Sequence, residues 1–173
     1  WFFMKARIVA LILALGLLTV TGCQSAAAPA ASSSGGTSAA ETVEYEEVTL
    51  YVPNSTADGL EEKTVQVEKT DAPVEELVQA LVGEGALPAC SEVKKWSSDE
   101  ADPPVLKLDL NAAFADGILN QGTAGETLIL ASLVNTIWAY YEPAELTLTA
   151  EGDPVVTGHN IYDTPFTSPM TLG

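Results

Sequence analysis

The spacing of apolar positions changes along the chain, and each change marks an element. Val48, Leu50 and Val52 alternate with Thr49 and Tyr51 in a run that starts near Glu44 and ends at the turn residues Pro53-Asn54-Ser55. A period of two is what a half-buried strand requires. After a loop through Asp58-Gly59, the stretch Thr64-Val65-Gln66-Val67 alternates again, which predicts a second strand returning beside the first. The period then becomes helical: Val74, Leu77, Val78, Leu81 and Val82 keep the spacing of one apolar stripe. Asp71-Ala72-Pro73 supplies the start of this helix, Glu75 and Glu76 sit where its dipole favours anions, and Gly83 ends it.

A third strand is expected over Glu92 to Trp96, followed by an acidic, Pro-containing turn from Ser97 to Pro104. In Val105-Leu106-Lys107-Leu108-Asp109-Leu110 the leucines face one way while Lys107 and Asp109 face the other. From Gly125 to Tyr141 there is no proline, and Leu130, Leu133, Val134, Ile137, Trp138 and Tyr141 form an apolar set with Leu128 and Ile129 on further faces, so a mostly buried helix is predicted. Glu142-Pro143 stops it, Leu146 and Leu148 alternate with Thr147 and Thr149 in a last strand, and Gly152-Asp153-Pro154 turns the chain. The Pro-rich remainder to Gly173 reads as irregular. The order β-β-α-β-β-α-β defines an α+β fold: a single domain over residues 44–173, with an antiparallel or mixed sheet of about five strands packed by two helices.

The first 43 residues have a different character. The apolar run from Ile8 to Val20 is shorter than the roughly 20 residues a spanning helix needs. Lys5 and Arg7 precede it and the small residues Thr21 and Gly22 follow, the three regions of a secretory signal if Met4 is the start and Trp1, Phe2 and Phe3 carry no meaning. Val20-Thr21-Gly22-Cys23 resembles a bacterial lipobox, in which the cysteine sulfur receives a diacylglyceryl group, the peptide is cut before it, and the new amine is often acylated. Residues 1–22 are therefore expected to be a signal peptide and Cys23 a lipidation site that holds the chain to the membrane, in contrast to an ordinary secreted protein with a chance cysteine. Residues 23–43 follow as the lipidated cysteine and a flexible tether. From Gln24 to Ala40 the tract is Ala, Ser, Gly, Pro and Thr with no charge, too poor in apolar surface to offset the entropy of ordering.

Charge narrows the partners. After Gly22 the basic residues are Lys63, Lys69, Lys94, Lys95 and Lys107, with no arginine, against all 24 acidic ones; without Lys5 and Arg7 the chain's net charge of −17 becomes −19. Nothing is present to neutralise a phosphate backbone, so nucleic acid is excluded as a partner. Anionic lipid headgroups are repelled as well, and the acidic excess reads as a solubility device. Cys23 and Cys90 are the only cysteines, so once the first is lipidated no intramolecular disulfide is available.

Catalytic chemistry is sparse. His159, the one histidine, lies in the turn-rich tail beside Gly158 and Asn160, and no spacing brings Cys90 to it as a thiol nucleophile to its base. His159 is read as a surface or hydrogen-bonding residue. Asp99, Glu100 and Asp102 lack the ordered spacing and glycine of a calcium loop and are read as a solvated acidic turn. No phosphate-cradling loop, metal-spaced Cys/His set or nucleophile elbow occurs. No catalytic residue, no cofactor and no metal site is assigned, which points to a domain that is not an enzyme.

With its elements in order, the stretch from Val48 to Thr167 resembles the GerMN family of sporulation and spore germination domains. The resemblance is carried by Val48-Thr49-Leu50-Tyr51-Val52-Pro53, by Gln79-Ala80-Leu81-Val82-Gly83, by Leu87-Pro88, and by Val105 through Leu110 continuing into Asn111-Ala112-Ala113-Phe114. Glu126-Thr127-Leu128, Leu133-Val134-Asn135-Thr136-Ile137 and Leu146-Thr147-Leu148-Thr149-Ala150-Glu151-Gly152 complete it. One departure is that the family's Leu-Pro-x-Gly-Thr reads here as Leu87-Pro88-Ala89-Cys90-Ser91, which questions the turn at that point. The resemblance implies an extracytoplasmic module, often on lipoproteins, with no catalytic residues to carry over. It also implies kinship with a protein that helps assemble a ring-shaped complex between two membranes, and helix, strand, strand, helix, strand is the order of ring-building motifs.

Two functions compete. One is an interaction or assembly module, making contacts with protein partners or with its own copies in the cell envelope and held to the membrane through the lipid. The other is a lipoprotein binding a small molecule or wall fragment, with Trp96, Trp138 and nearby tyrosines as stacking groups, although Trp138 and Tyr141 stand at core spacing. A deep polar and aromatic pocket favours the second; a flat sheet face or free strand edge favours the first.

Overall fold

A computed structural model of the protein describes residues 43–99, 101–119 and 121–172. The signal-peptide expectation, the lipidation site Cys23 and all but the last position of the expected tether lie outside the described residues. In chain order the elements are β1 (Tyr45–Pro53), β2 (Leu60–Glu68), α1 (Pro73–Gly83), β3 (Val93–Ser98), β4 (Val105–Leu110), α2 (Ala112–Ile118), α3 (Gly122–Tyr141), β5 (Glu145–Ala150), β6 (Asp153–Val156) and β7 (Ile161–Tyr162). The α+β class and its single mixed-sheet domain are as the sequence implies, with more elements than the pattern shows.

The first two strands pair only with each other, as an antiparallel hairpin in register Val48↔Val65 and Leu50↔Lys63. The mixed sheet has five strands in the order β3-β4-β5-β6-β7. Its centre is the parallel pair β4 and β5, with Leu106, Leu108 and Leu110 opposite Leu146, Leu148 and Ala150. Parallel neighbours need a long crossover, and here α2 and α3 supply it. All six of these side chains are buried, so one face of the pair forms the floor of the core. Val74, Leu77, Val78 and Leu81 of α1 join the same cluster through their predicted stripe.

Helix α3 is the axis of the domain. Every residue from Leu130 to Ile137 is buried, which requires cover on several sides, and apolar residues accordingly stand on every face of it, with Ser132, Asn135 and Thr136 buried among them. The hairpin covers one side, where the Tyr51 amide donates to Thr136 Oγ1 at 2.9 Å. The C-terminal tail covers another, as Asn135 accepts from the Met170 amide at 2.7 Å and donates to its carbonyl at 3.0 Å. These bonds satisfy the Thr136 and Asn135 side chains, which burial would otherwise leave without water, whereas the buried Ser132 hydroxyl on the same helix has no partner among the described residues.

Several expectations are corrected. The tail is ordered into β6, β7 and a bridge in which Leu146 and Phe166 exchange backbone hydrogen bonds at 2.8 and 2.9 Å. Val155 is its deeply buried side chain, so its strands are fixed by pairing and not by an alternating pattern. Helix α2 is an addition: Asn111 caps it, accepting from the Phe114 amide, and Phe114 and Ile118 are buried. Strand β3 runs on to Ser98, which removes Ser97 and Ser98 from the predicted turn, and α3 starts at Gly122 rather than Gly125.

Candidate functional site

The mixed sheet has a second face that no described helix covers. On it stand Lys95 and Ser97 of β3, Lys107 and Asp109 of β4, and Thr147 and Thr149 of β5; the lysines and Ser97 are exposed and the others half-buried. Alternation along β4 and β5 places these residues opposite the buried leucines. On β3 the phase is set by a bulge between Val93 and Lys95, after which Lys95 pairs with Asp109 and Ser97 with Lys107. Val93 and Trp96 thus both turn inward, where Trp96 packs 5.1 Å from the Tyr141 ring. The result is a shallow hollow of about 470 Å³ bounded by Lys95, Ser97, Lys107, Asp109, Thr147 and Thr149, with Gly152 at one end.

A polar network fixes that end. Asp109 Oδ1 accepts from Thr149 Oγ1 at 2.7 Å and from the Gly152 amide at 2.8 Å. Glu151 Oε1 accepts from the Ala112 amide at 2.7 Å while its other oxygen pairs with Lys94. The Lys94 ammonium draws the Glu151 carboxyl below its usual pKa and is itself held above its own, each mainly through their shared hydrogen bond. Asn111 ties the segment before β3 to α2: its Oδ1 also accepts from the Glu92 amide at 3.2 Å and its Nδ2 donates to the Cys90 carbonyl at 2.8 Å. The hollow therefore rests on a rigid rim.

The residues that carry candidate chemistry are not assembled into a catalytic group. Cys90 is exposed in the turn after Pro88 with φ of 62°, and its carbonyl is occupied by Asn111. His159 instead meets Glu126, 3.0 Å away, which makes it the hydrogen-bonding residue the sequence implies. Asp99 Oδ1 accepts from the Ala101 and Val105 amides and so closes the acidic turn as a backbone cap. Among the described residues no three His, Cys, Asp or Glu side chains converge to hold a metal ion, and no described helix is long and apolar enough to cross a membrane. Trp138 and Tyr141 pack against the core as half-buried side chains, in keeping with their helical spacing.

The outward setting of Lys107 and Asp109 is legible from alternation, whereas that of Lys95 and Ser97 is hidden by the bulge. For Asn111 the available signal is an N-cap residue directly before Ala112-Ala113-Phe114.

The sequence model of the Germane family, described as sporulation and spore germination, matches residues 49–156. The tandem GerMN domains of the sporulation protein GerM from Bacillus subtilis superpose with a TM-score of 0.54 at 16% identity, covering 72% of this chain and 46% of that one. The first GerMN domain of the same protein gives a TM-score of 0.48 at 18% identity, over 62% of this chain and 84% of that one. At these identities the tandem structure speaks to fold alone. No curated protein sequence matches the chain significantly.

Proposed function

The chain belongs to the Germane family of sporulation and spore germination domains, and from that premise we propose that it is a non-catalytic interaction module, displayed on the outer face of the cell membrane by lipid at Cys23. The observation that carries the reading is the open sheet face. Its hollow is shallow and bounded by lysines, hydroxyls and one carboxylate, with the aromatic side chains Trp96 and Tyr141 turned to the core side. A small-molecule site is lined predominantly by apolar and aromatic side chains, whereas this hollow is lined by two lysines, Ser97, Thr147, Thr149 and Asp109 beside Leu108 and Gly152. A broad polar face on rigid strands instead fits contact with another protein.

The anchor adds a physical advantage. Copies confined to a membrane meet partners on the same or a facing surface at raised effective concentration, so weak contacts suffice. Crosslinking of the full chain in growing and sporulating cells tests the reading: a discrete crosslinked protein is expected. If no protein is captured in any condition and a small ligand co-purifies, the binding-lipoprotein alternative replaces it.

A further inference from the structure

Two lysines on the open sheet face have no counterion within the described molecule. Lys63 pairs with Glu84, Lys69 with Glu44 at 3.5 Å and Lys94 with Glu151, while Lys95 and Lys107 pair with none of the described carboxylates. Lys95 lies opposite Asp109 and Ser97 opposite Lys107, so the two ammonium groups belong to diagonal neighbours, about 7–8 Å apart at the backbone. Asp109, the nearest carboxylate in register, is turned toward β5 by its bonds from Thr149 and Gly152. In a chain with 24 acidic residues and seven basic ones, this is a local reversal of sign on a surface that is otherwise acidic.

We infer that this face docks an extended, acidic segment of another protein, with carboxylates seated on Lys95 and Lys107 and polar groups meeting Ser97, Thr147 and Thr149. The inference rests on the interaction-module reading and names the surface and the chemistry of its partner. The hollow is lined by residues of the three adjacent strands β3, β4 and β5, and β3 is the outermost strand, so a chain can lie across it without threading. Alternate residues of an extended segment point to one side, which matches cations set on alternating positions of paired strands. A second copy of the whole domain is disfavoured because its large negative charge repels its like. A short acidic segment meets mainly the local field, since charges beyond about 8 Å are screened at physiological ionic strength.

The test uses the full chain in detergent and a fluorescein-labelled alternating Glu-Thr peptide, with a neutral alternating Gln-Thr peptide as control. Saturable binding of the acidic peptide alone is expected, weakening as salt rises toward about 1 M, where the screening length is about 3 Å. K95E/K107E should weaken it at least about tenfold, as loss and reversal of a paired charge does, while K63E/K69E should leave it within about twofold. Because both target lysines are exposed, thermal melts should match the parent; if the reversed pair folds poorly, K95Q/K107Q replaces it. Absence of binding, equal loss in K63E/K69E, preferential binding of a polyglycerol-phosphate polymer, or competition by self-association through this face would each overturn the inference. The interaction-module reading fails separately, on the absence of any crosslinked protein in cells.

Discussion

The carboxylate of Glu126, near the start of α3, lies 3.0 Å from Nδ1 of His159 in the loop between β6 and β7, with the Glu126 side chain only 3% exposed and His159 51% exposed. Its other oxygen accepts the Gly158 amide at 2.9 Å, and a Cβ added at Gly158 would stand at that same distance from it. This contact fastens the tail to the helix that organises the core. Burial by itself raises the Glu126 pKa, but hydrogen bonds from His159, Thr157 and Gly158 outweigh it and hold the group below the usual carboxylate range.

A carboxyl whose pKa is depressed by folding contributes stability that is fully present above its unfolded value and is lost as pH falls through the folded one. Between neutral pH and about pH 5, above the ordinary glutamate value near 4.3, Glu126 should therefore add no slope to the melting temperature; below that range its contribution declines. Glu126→Gln should melt lower at neutral pH and lose less on acidification. Melts of both proteins in stepped buffers check this, and identical acid slopes would show that the latch is energetically silent.

How far the fold can be read from sequence depends on whether burial repeats. Leu106, Leu108 and Leu110 repeat at two, and the stripe from Val74 to Val82 repeats at helical spacing, so those elements are visible in the order of residues alone. Helix α2 spans only seven residues, too few for a period, and its one strong signal is the Asn111 cap. Strands β6 and β7 pair across only two positions. The open face is half legible because a bulge reverses the phase of β3, and the Glu126–His159 contact joins residues 33 apart, which no local pattern reports.

Cys90 occupies a left-handed backbone conformation, φ 62°, a region that favours glycine. An L-residue there costs about 1–2 kcal/mol that glycine avoids, offset in part by the greater freedom glycine loses on folding. Cys90→Gly should stabilise the domain by about 0.5–1 kcal/mol, and Cys90→Ser, which keeps the strain, should change stability by no more than about 0.5 kcal/mol. Chemical denaturation of both variants measures the difference. A loss in Cys90→Gly would mean that the side chain itself supports the turn.

Val134 lies fully buried on α3, a helix covered by the sheet side, the hairpin and the tail together. Val134→Asp puts a carboxylate where no described cation faces it, and an unpaired buried charge is among the few changes that cost about 4 kcal/mol or more. That is a large part of a domain stability of roughly 5–15 kcal/mol. Loss of the cooperative melt is expected, whereas a melt unchanged from the parent would show that α3 is not the organising element.

The proposed anchor makes the two cysteines chemically unequal. If Cys23 carries the diacylglyceryl group through its sulfur, the mature chain has a single reactive thiol, Cys90, which is free and exposed. Maleimide labelling of the membrane-bound protein should therefore add one label per chain, and none in Cys90→Ser. Cys23→Ala should abolish membrane retention, because each buried lipid methylene contributes about 0.8 kcal/mol and an acidic domain has no compensating attraction to anionic headgroups. Fractionation of wild type and both variants separates the roles: Cys90→Ser stays with the membrane and Cys23→Ala moves to the soluble fraction. Labelling of both thiols in the membrane-bound wild type, or retention of a processed Cys23→Ala chain, would place the attachment elsewhere.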